Sequence, residues 1–278
     1  MEANMLNLFG HEMRSRIGAI IGWGLGLTAF GAMYISIFPE AGDQMAGLAD
    51  LDIYVAMGID LGSFAGFIAS VVLQFLPLLL GIYAIITSTQ ALAGEEDNGT
   101  LELVLAMPLK RWQIVTTKAL AISLIALIIL IIAGLGNALV LNAVKQTVEV
   151  DVTAQQLFVA ILNGWPLTIA FVMIGMFFGA YLPNRRAAVI TTTFIFVASF
   201  FGNTLAGLAE SLEPVQAFSL FHYLDNSTRV FSDGVMASDV LTLLGVALAF
   251  FALTLLAFQR RDVTVGALPW ARARTGAE

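Results

Sequence analysis

The stretch Gly94 to Lys118, GEEDNGTLELVLAMPLKRWQIVTTK, concentrates the charged chemistry of this chain. Glu95, Glu96, Asp97 and Glu102 lie between two long apolar runs, and Lys110, Arg111 and Lys118 follow them. Asn98-Gly99 is a turn signal. Thr100 is placed to cap a short helix in which Leu101, Val104 and Leu105 share one face, with Glu102 in the first turn, where a negative charge complements the helix dipole. Pro108 stops that helix, and the basic residues restart the chain into the next apolar run. Carboxylates, cations and a small apolar face in this order can form ion pairs and dock on a partner.

Bond-making chemistry is largely excluded by what is missing. There is no cysteine, so disulfides, thiolate metal sites and thiol nucleophiles are absent. His11 and His222 have no second imidazole at ligand spacing, and His11-Glu12 is not followed by one. No serine or aspartate pair falls in adjacent apolar runs. A phosphate-binding G-x-x-x-x-G-K-[ST] loop does not occur. The cores of the apolar runs carry Gln74, Asn137, Thr168, Thr191, Thr192, Thr193 and Ser199, which can hydrogen-bond between helices or line a path. They carry none of the ionisable groups on which ion-coupled carriers depend. The chain is therefore expected to be a non-enzymatic transport component whose energy enters from outside.

The elements that position the charged stretch are set by hydrophobicity. Apolar residues make up 59% of the 278 positions and charged ones 12%, against roughly 45–50% and about 25% in soluble domains. The fold class expected is an all-α integral membrane protein, one domain over 1–278. Its six transmembrane helices are placed at 17–38, 63–90, 119–141, 158–182, 187–207 and 240–258, each longer than the roughly 17 residues a span requires. Of the 13 basic residues, all but Lys145 and Arg229 fall on one side, which by the positive-inside rule puts both termini in the cytoplasm.

Before the first span, Met5, Leu8, Phe9 and Met13 recur at helical spacing with Glu12, Arg14 and Arg16 around them, an interfacial amphipathic helix. Gly18, Gly22 and Gly26 form a small-residue stripe for close helix packing. Pro39 to Gly62 is expected to hold a short outer surface helix. Its Asp50-x-Asp52 lacks the glycine and terminal glutamate of a calcium loop, and reads as a solvated acidic face. Pro77 frees the Leu73 carbonyl and should kink the second span. Leu208 to Asp239 has room for two short helices, broken at Pro214 and at Asp233-Gly234.

The order Glu95, Glu96, Gly99, Thr100, Leu101, Glu102, Pro108, Arg111 and Lys118 resembles the cytoplasmic coupling element of the type-2 ABC exporter permeases. Lys110 stands where that family often has serine. Phe218-Ser219-Leu220-Phe221-His222-Tyr223 resembles the aromatic Ser-x-Phe-x-Tyr segment many members carry between their last two spans, with Leu220 in place of the commoner proline. Gln259-Arg260-Arg261-Asp262 is similar to the family's usual ending. The resemblance implies a coupling helix between the second and third spans and a plasma-membrane efflux permease working as a dimer with a second permease, the same chain or a related one. It also implies two partner ATPase subunits that bind the ATP and Mg. It further implies a path lined by the second and fifth spans, for which Gln74, Tyr83, Thr87, Thr191, Phe194, Ser199 and Phe201 are the candidates. Such an apolar, aromatic-lined and charge-poor path would suit a hydrophobic drug, lipid or peptide as substrate. A secondary transporter and a non-transporting subunit that transmits mechanical work remain as alternatives.

Overall fold

The computed structural model describes residues 2–49, 63–208, 216–224 and 228–260. Six of its helices are long and apolar enough to cross a membrane. An N-terminal helix α1 (Glu2–Ser15) leads into the first span, α2 (Ile17–Ala49). The second span runs from Phe64 to Asp97, as α3 (Phe64–Ile68), a π-helical turn (Ala69–Leu73), α4 (Gln74–Thr89), a second π-helical turn (Gln90–Gly94) and α5 (Glu95–Asp97). The connector holds α6 (Leu101–Leu105), and the third span is α7 (Arg111–Val144). The fourth is α8 (Ala154–Leu162) followed by α9 (Gly164–Tyr181), and the fifth is α10 (Arg185–Leu208). A 3-10 turn (Leu220–Tyr223) and α11 (Arg229–Ser232) precede the sixth span, α12 (Ala237–Arg260).

Several boundaries differ from the hydropathy reading, which locates the hydrocarbon rather than the helix. The first span does not stop at Phe38; α2 continues through Pro39 to Ala49, because proline has a helical φ and removes only one backbone bond. The remainder of the expected outer helix, 50–62, lies outside the described residues. The second span extends past Gln90 to Asp97, and the third starts at Arg111 instead of Ala119, since polar and charged residues can stay helical once the helix leaves the apolar layer. The fourth starts at Ala154, where Thr153 Oγ1 accepts from the Gln156 N–H while Gln156 Oε1 accepts from the Thr153 N–H, a reciprocal N-cap. It breaks at Asn163 because Pro166 has no N–H for the Leu162 carbonyl. Around Pro77 the helix is re-registered: the π turn ends at Leu73, the residue whose carbonyl the proline leaves free.

The fourth span is the axle of the bundle. Within its most apolar window 78% of residues are buried, against 22% for the first, 17% for the fifth and 17% for the sixth. The first and third spans interlock through Gly24, Thr28 and Gly31 against Ile132, Gly136 and Asn137: a Cβ on Gly31 would collide with the Asn137 side chain, and one on Gly136 with Thr28. Thr28 Oγ1 donates to the Gly24 carbonyl at 2.8 Å, and Asn137 Nδ2 donates to the Ala133 carbonyl at 2.8 Å, so both donors enter the interface already satisfied, while Asn137 Oδ1 is buried there with no hydrogen-bond partner among the described residues. The Gly18, Gly22 and Gly26 stripe is on a different face. It is exposed, and nothing in the described part of the chain comes within 4 Å of a Cβ built on any of the three.

Candidate functional site

The charged stretch divides into an inward half and an outward half at one end of the bundle. Glu95, Glu96 and Asp97 form the last turn of the second span, and Gly99, at φ 71°, reverses the chain after it. The Thr100 N–H donates to the Glu95 carbonyl at 2.9 Å and the Gly99 N–H to the Glu96 carbonyl at 3.0 Å. This is the glycine-dependent closure that ends many helices. Thr100 therefore does not cap α6 as expected: its hydroxyl also donates to the Glu95 carbonyl, at 3.2 Å, and makes no cap bond to the helix that follows. The cap is missing because the Thr100 backbone is itself helical, at φ −83° and ψ −20°, not in the extended conformation from which a capping oxygen reaches back to the helix N–H groups.

Lys118 lies two turns inside α7 with its side chain 0% exposed. Its Nζ donates to Glu12 Oε1 at 2.5 Å and to Glu95 Oε1 at 2.5 Å. Arg16 Nη2 completes the group by donating to Glu12 Oε2 at 2.7 Å. Two carboxylates and two cations thus balance, each bond being charge-assisted. They clamp the N-terminal helix, the end of the second span and the start of the third. Burial pushes the Glu12 carboxyl up, but the ammonium of Lys118 and the guanidinium of Arg16 outweigh it and hold Glu12 below the ordinary value of 4.5. Of the acidic residues expected to meet a partner, Glu95 is paired with Lys118 within the chain and Glu96 is buried, which leaves Glu102 exposed.

Leu101 is likewise not a free anchor. It is 1% exposed and belongs to the apolar core, while Leu105 is half-buried against that core and Val104 is half-buried. What faces outward is a ridge of Asp97, Asn98, Gly99, Thr100, Glu102, Ala106, Pro108 and Lys110. The helix ends at Leu105, ahead of Pro108, with the Ala106 N–H bonded to the Glu102 carbonyl at 2.9 Å. The ridge is fastened at both sides. Asp97 Oδ2 accepts the Arg185 N–H at 3.1 Å, reaching the start of the fifth span. Arg111 Nη1 donates to the Phe258 carbonyl at 3.1 Å, with its guanidinium 6.0 Å from the Phe258 ring, reaching the end of the sixth. Gln113 Oε1 accepts the Lys110 N–H at 2.8 Å and so closes the start of α7.

The path candidates do not gather in one place. Tyr83 and Thr87 are buried within the chain, Tyr83 edge-on to Trp23 with ring centroids 5.8 Å apart. Gln74 and Thr191 are half-buried. Phe194 is 70% exposed and Phe201 is also exposed, both on the outer face of α10. Ser199 is engaged by the segment between the last two spans: the Leu220 N–H donates to Ser199 Oγ at 2.9 Å and Ser219 Oγ donates to the Ser199 carbonyl at 2.7 Å. Leu220 thus supplies an N–H that a proline at this position would lack. Phe221 follows into a cluster with Phe171, Phe196 and Phe200 at centroid distances of 5.9, 5.3 and 5.3 Å. The Asp233-Gly234 turn is present, with Gly234 at φ 75°; Pro214 lies outside the described residues.

Sequence reasoning missed Glu12 and Arg16 as members of the ionic node. A signal existed: Glu12 stands one helical turn after Leu8, so a carboxylate continues the buried stripe of an amphipathic helix, and Arg16 follows one turn later. Its partner Lys118 could not be inferred, because 106 residues separate them. Among the described residues no group of three or more His, Cys, Asp and Glu side chains is arranged to hold a metal ion.

No curated protein matches the chain. A family model described as ABC-2 family transporter protein matches residues 6–263, from α1 across all six spans. The chain belongs to the ABC-2 transporter family, and is a membrane permease subunit of an ABC transporter.

Proposed function

We propose that this permease is an exporter subunit driven by two copies of a separate ATPase that seat on the Asp97–Lys110 ridge. A second permease, the same chain or a related one, completes the path. The observation that carries the reading is the fastening of the ridge: Leu101 is buried, and Lys118 ties the end of the second span to the third span and α1. A push delivered to Glu102 would move these elements as one body, which is what conversion of ATP-driven closure into alternating access requires. Glu102, exposed on α6, is the charged contact that would orient the partner. ATP and Mg would be bound by that partner. The distribution of basic residues supports a cytoplasmic ridge and cytoplasmic termini in the plasma membrane. The exposed apolar face of α10, with Phe194 and Phe201, supports a path for hydrophobic drugs, lipids or peptides between two permeases.

The test is co-purification in mild detergent with the ATPase subunits encoded in the same genome, followed by ATP turnover. A stable complex is expected for the native chain. Glu102→Arg should reduce complex formation and turnover at least several-fold without altering membrane insertion. A native chain that purifies alone, or a Glu102→Arg variant that couples normally, would sink the proposal.

A further inference from the structure

A groove of about 480 Å³ opens on the membrane-facing side of the bundle between α7, α9 and α12. Ala119, Ile169, Met173 and Ala247 form its floor, and Leu120 and Leu248, 58% and 68% exposed, form its rims. Trp165 is fixed in its wall by an indole N–H that donates to the Ser123 carbonyl at 3.0 Å, so the ring offers only its apolar surface.

Length and charge identify the occupant. Along α7 the groove runs from Thr116 to Leu127, about 16 Å at 1.5 Å per residue. That is close to one leaflet, half of a hydrocarbon core about 30 Å thick. It begins near the ridge end of α7 and stops at the helix midpoint. A neighbouring helix would need a furrow through both leaflets; a single acyl chain needs only this one. Beyond Thr116, toward the ridge, Lys110 and Arg260 are exposed next to Arg111 and Phe258, whose contact brings the ends of α7 and α12 together. Cations at the headgroup level beside an apolar, leaflet-long groove suit a negatively charged headgroup.

We propose that this groove is a binding site for an anionic phospholipid of the ridge-side leaflet, one acyl chain lying over Ala119 and Ala247 and the phosphate facing Lys110 and Arg260. The site touches the ridge only at Lys110, its apolar groove lies apart from it, and it does not depend on which substrate is carried.

The probe is bromine-labelled phosphatidylglycerol or phosphatidylcholine in nanodiscs, with quenching of Trp165 fluorescence in a full-length chain carrying Trp23→Phe, Trp112→Phe and Trp270→Phe. At equal mole fraction, phosphatidylglycerol should quench several-fold more strongly. Ala247→Phe should remove that quenching by filling the groove. Lys110→Glu with Arg260→Glu, on exposed side chains that leave packing intact, should remove the preference between the two lipids while keeping contact with both. Equal quenching by the two lipids in the native background, or quenching unchanged by Ala247→Phe, would overturn the proposal. So would a disulfide between two copies bearing Leu248→Cys, a reaction easily read in a chain with no native cysteine, since it would show that a second protein helix covers the groove.

Discussion

The node around Lys118 and the ridge around Glu102 are made of the same residue types, at the same end of the bundle, within one short stretch of chain. Glu95 and Glu102 could exchange places in a composition table without notice. Yet Glu95 is paired inside the protein at 2.5 Å from Lys118, while Glu102 is exposed on a short helix. One set of charges ties three helices together at the end of the bundle; the other is left in solvent, where the proposed coupling would use it. A buried charge that is well paired is costly to unpair, whereas an exposed one can be changed with little effect on the fold.

The comparison can be broken most forcefully at Lys118. Lys118→Met leaves Glu95, half-buried, without its cation and buried Glu12 with Arg16 alone, which should cost about 3 kcal/mol and appear as a marked fall in the melting temperature of the purified protein. Replacing Glu12 and Glu95 by glutamine in the same chain should restore most of the loss. A Lys118→Met variant that melts like the native chain would show that the node is not what joins α1 to the second and third spans.

Leu101→Ala should come next, at about 2–5 kcal/mol for a fully buried leucine, measured in the same way. This sharpens the contrast with its neighbour, because Leu101 is core and Glu102 is not. Acidification should give a smaller effect. Glu12 is held below its ordinary value in the folded chain, so its contribution is complete above the unfolded carboxylate value of 4.5 and is lost as the pH falls through the lower folded one. Thermal stability should hold on moving from neutral pH toward that range and decline beneath it. Glu12→Gln, less stable at neutral pH, should show a shallower decline. An identical pH profile for the two would mean that Arg16 and Lys118 do not stabilise the charged form.

Glu102→Arg should have the smallest effect on stability, within about 0.5 kcal/mol as for other exposed substitutions, together with the largest effect on ATPase coupling. Comparable damage to melting and to coupling would erase the distinction between node and ridge.

Much of this architecture is legible from local chemistry. Hydrocarbon burial requires long apolar helices, so the spans appear in the composition itself, and the Asn98-Gly99 and Asp233-Gly234 turns follow from the need for a residue tolerant of positive φ. The amphipathic period of α1 and the order of charges from Glu95 to Lys118 are likewise properties of neighbours in the chain. Thr100 shows the limit of that reasoning. Its hydroxyl could serve the helix before or after it, and the closure around Gly99 chooses the former.

Lys118 was visible in the sequence as a cation at the foot of a span, and Gly18, Gly22 and Gly26 as a packing stripe. Only the tertiary arrangement decided that Lys118 meets Glu12 and Glu95, and that Gly24 and Gly31 form the contact with the third span instead. The physical reason is common to both. Hydrophobicity and turn propensity act along the chain, whereas the rotation of each helix, and therefore which charge finds a counter-charge and which glycine finds a neighbour, is set by how all six spans pack together.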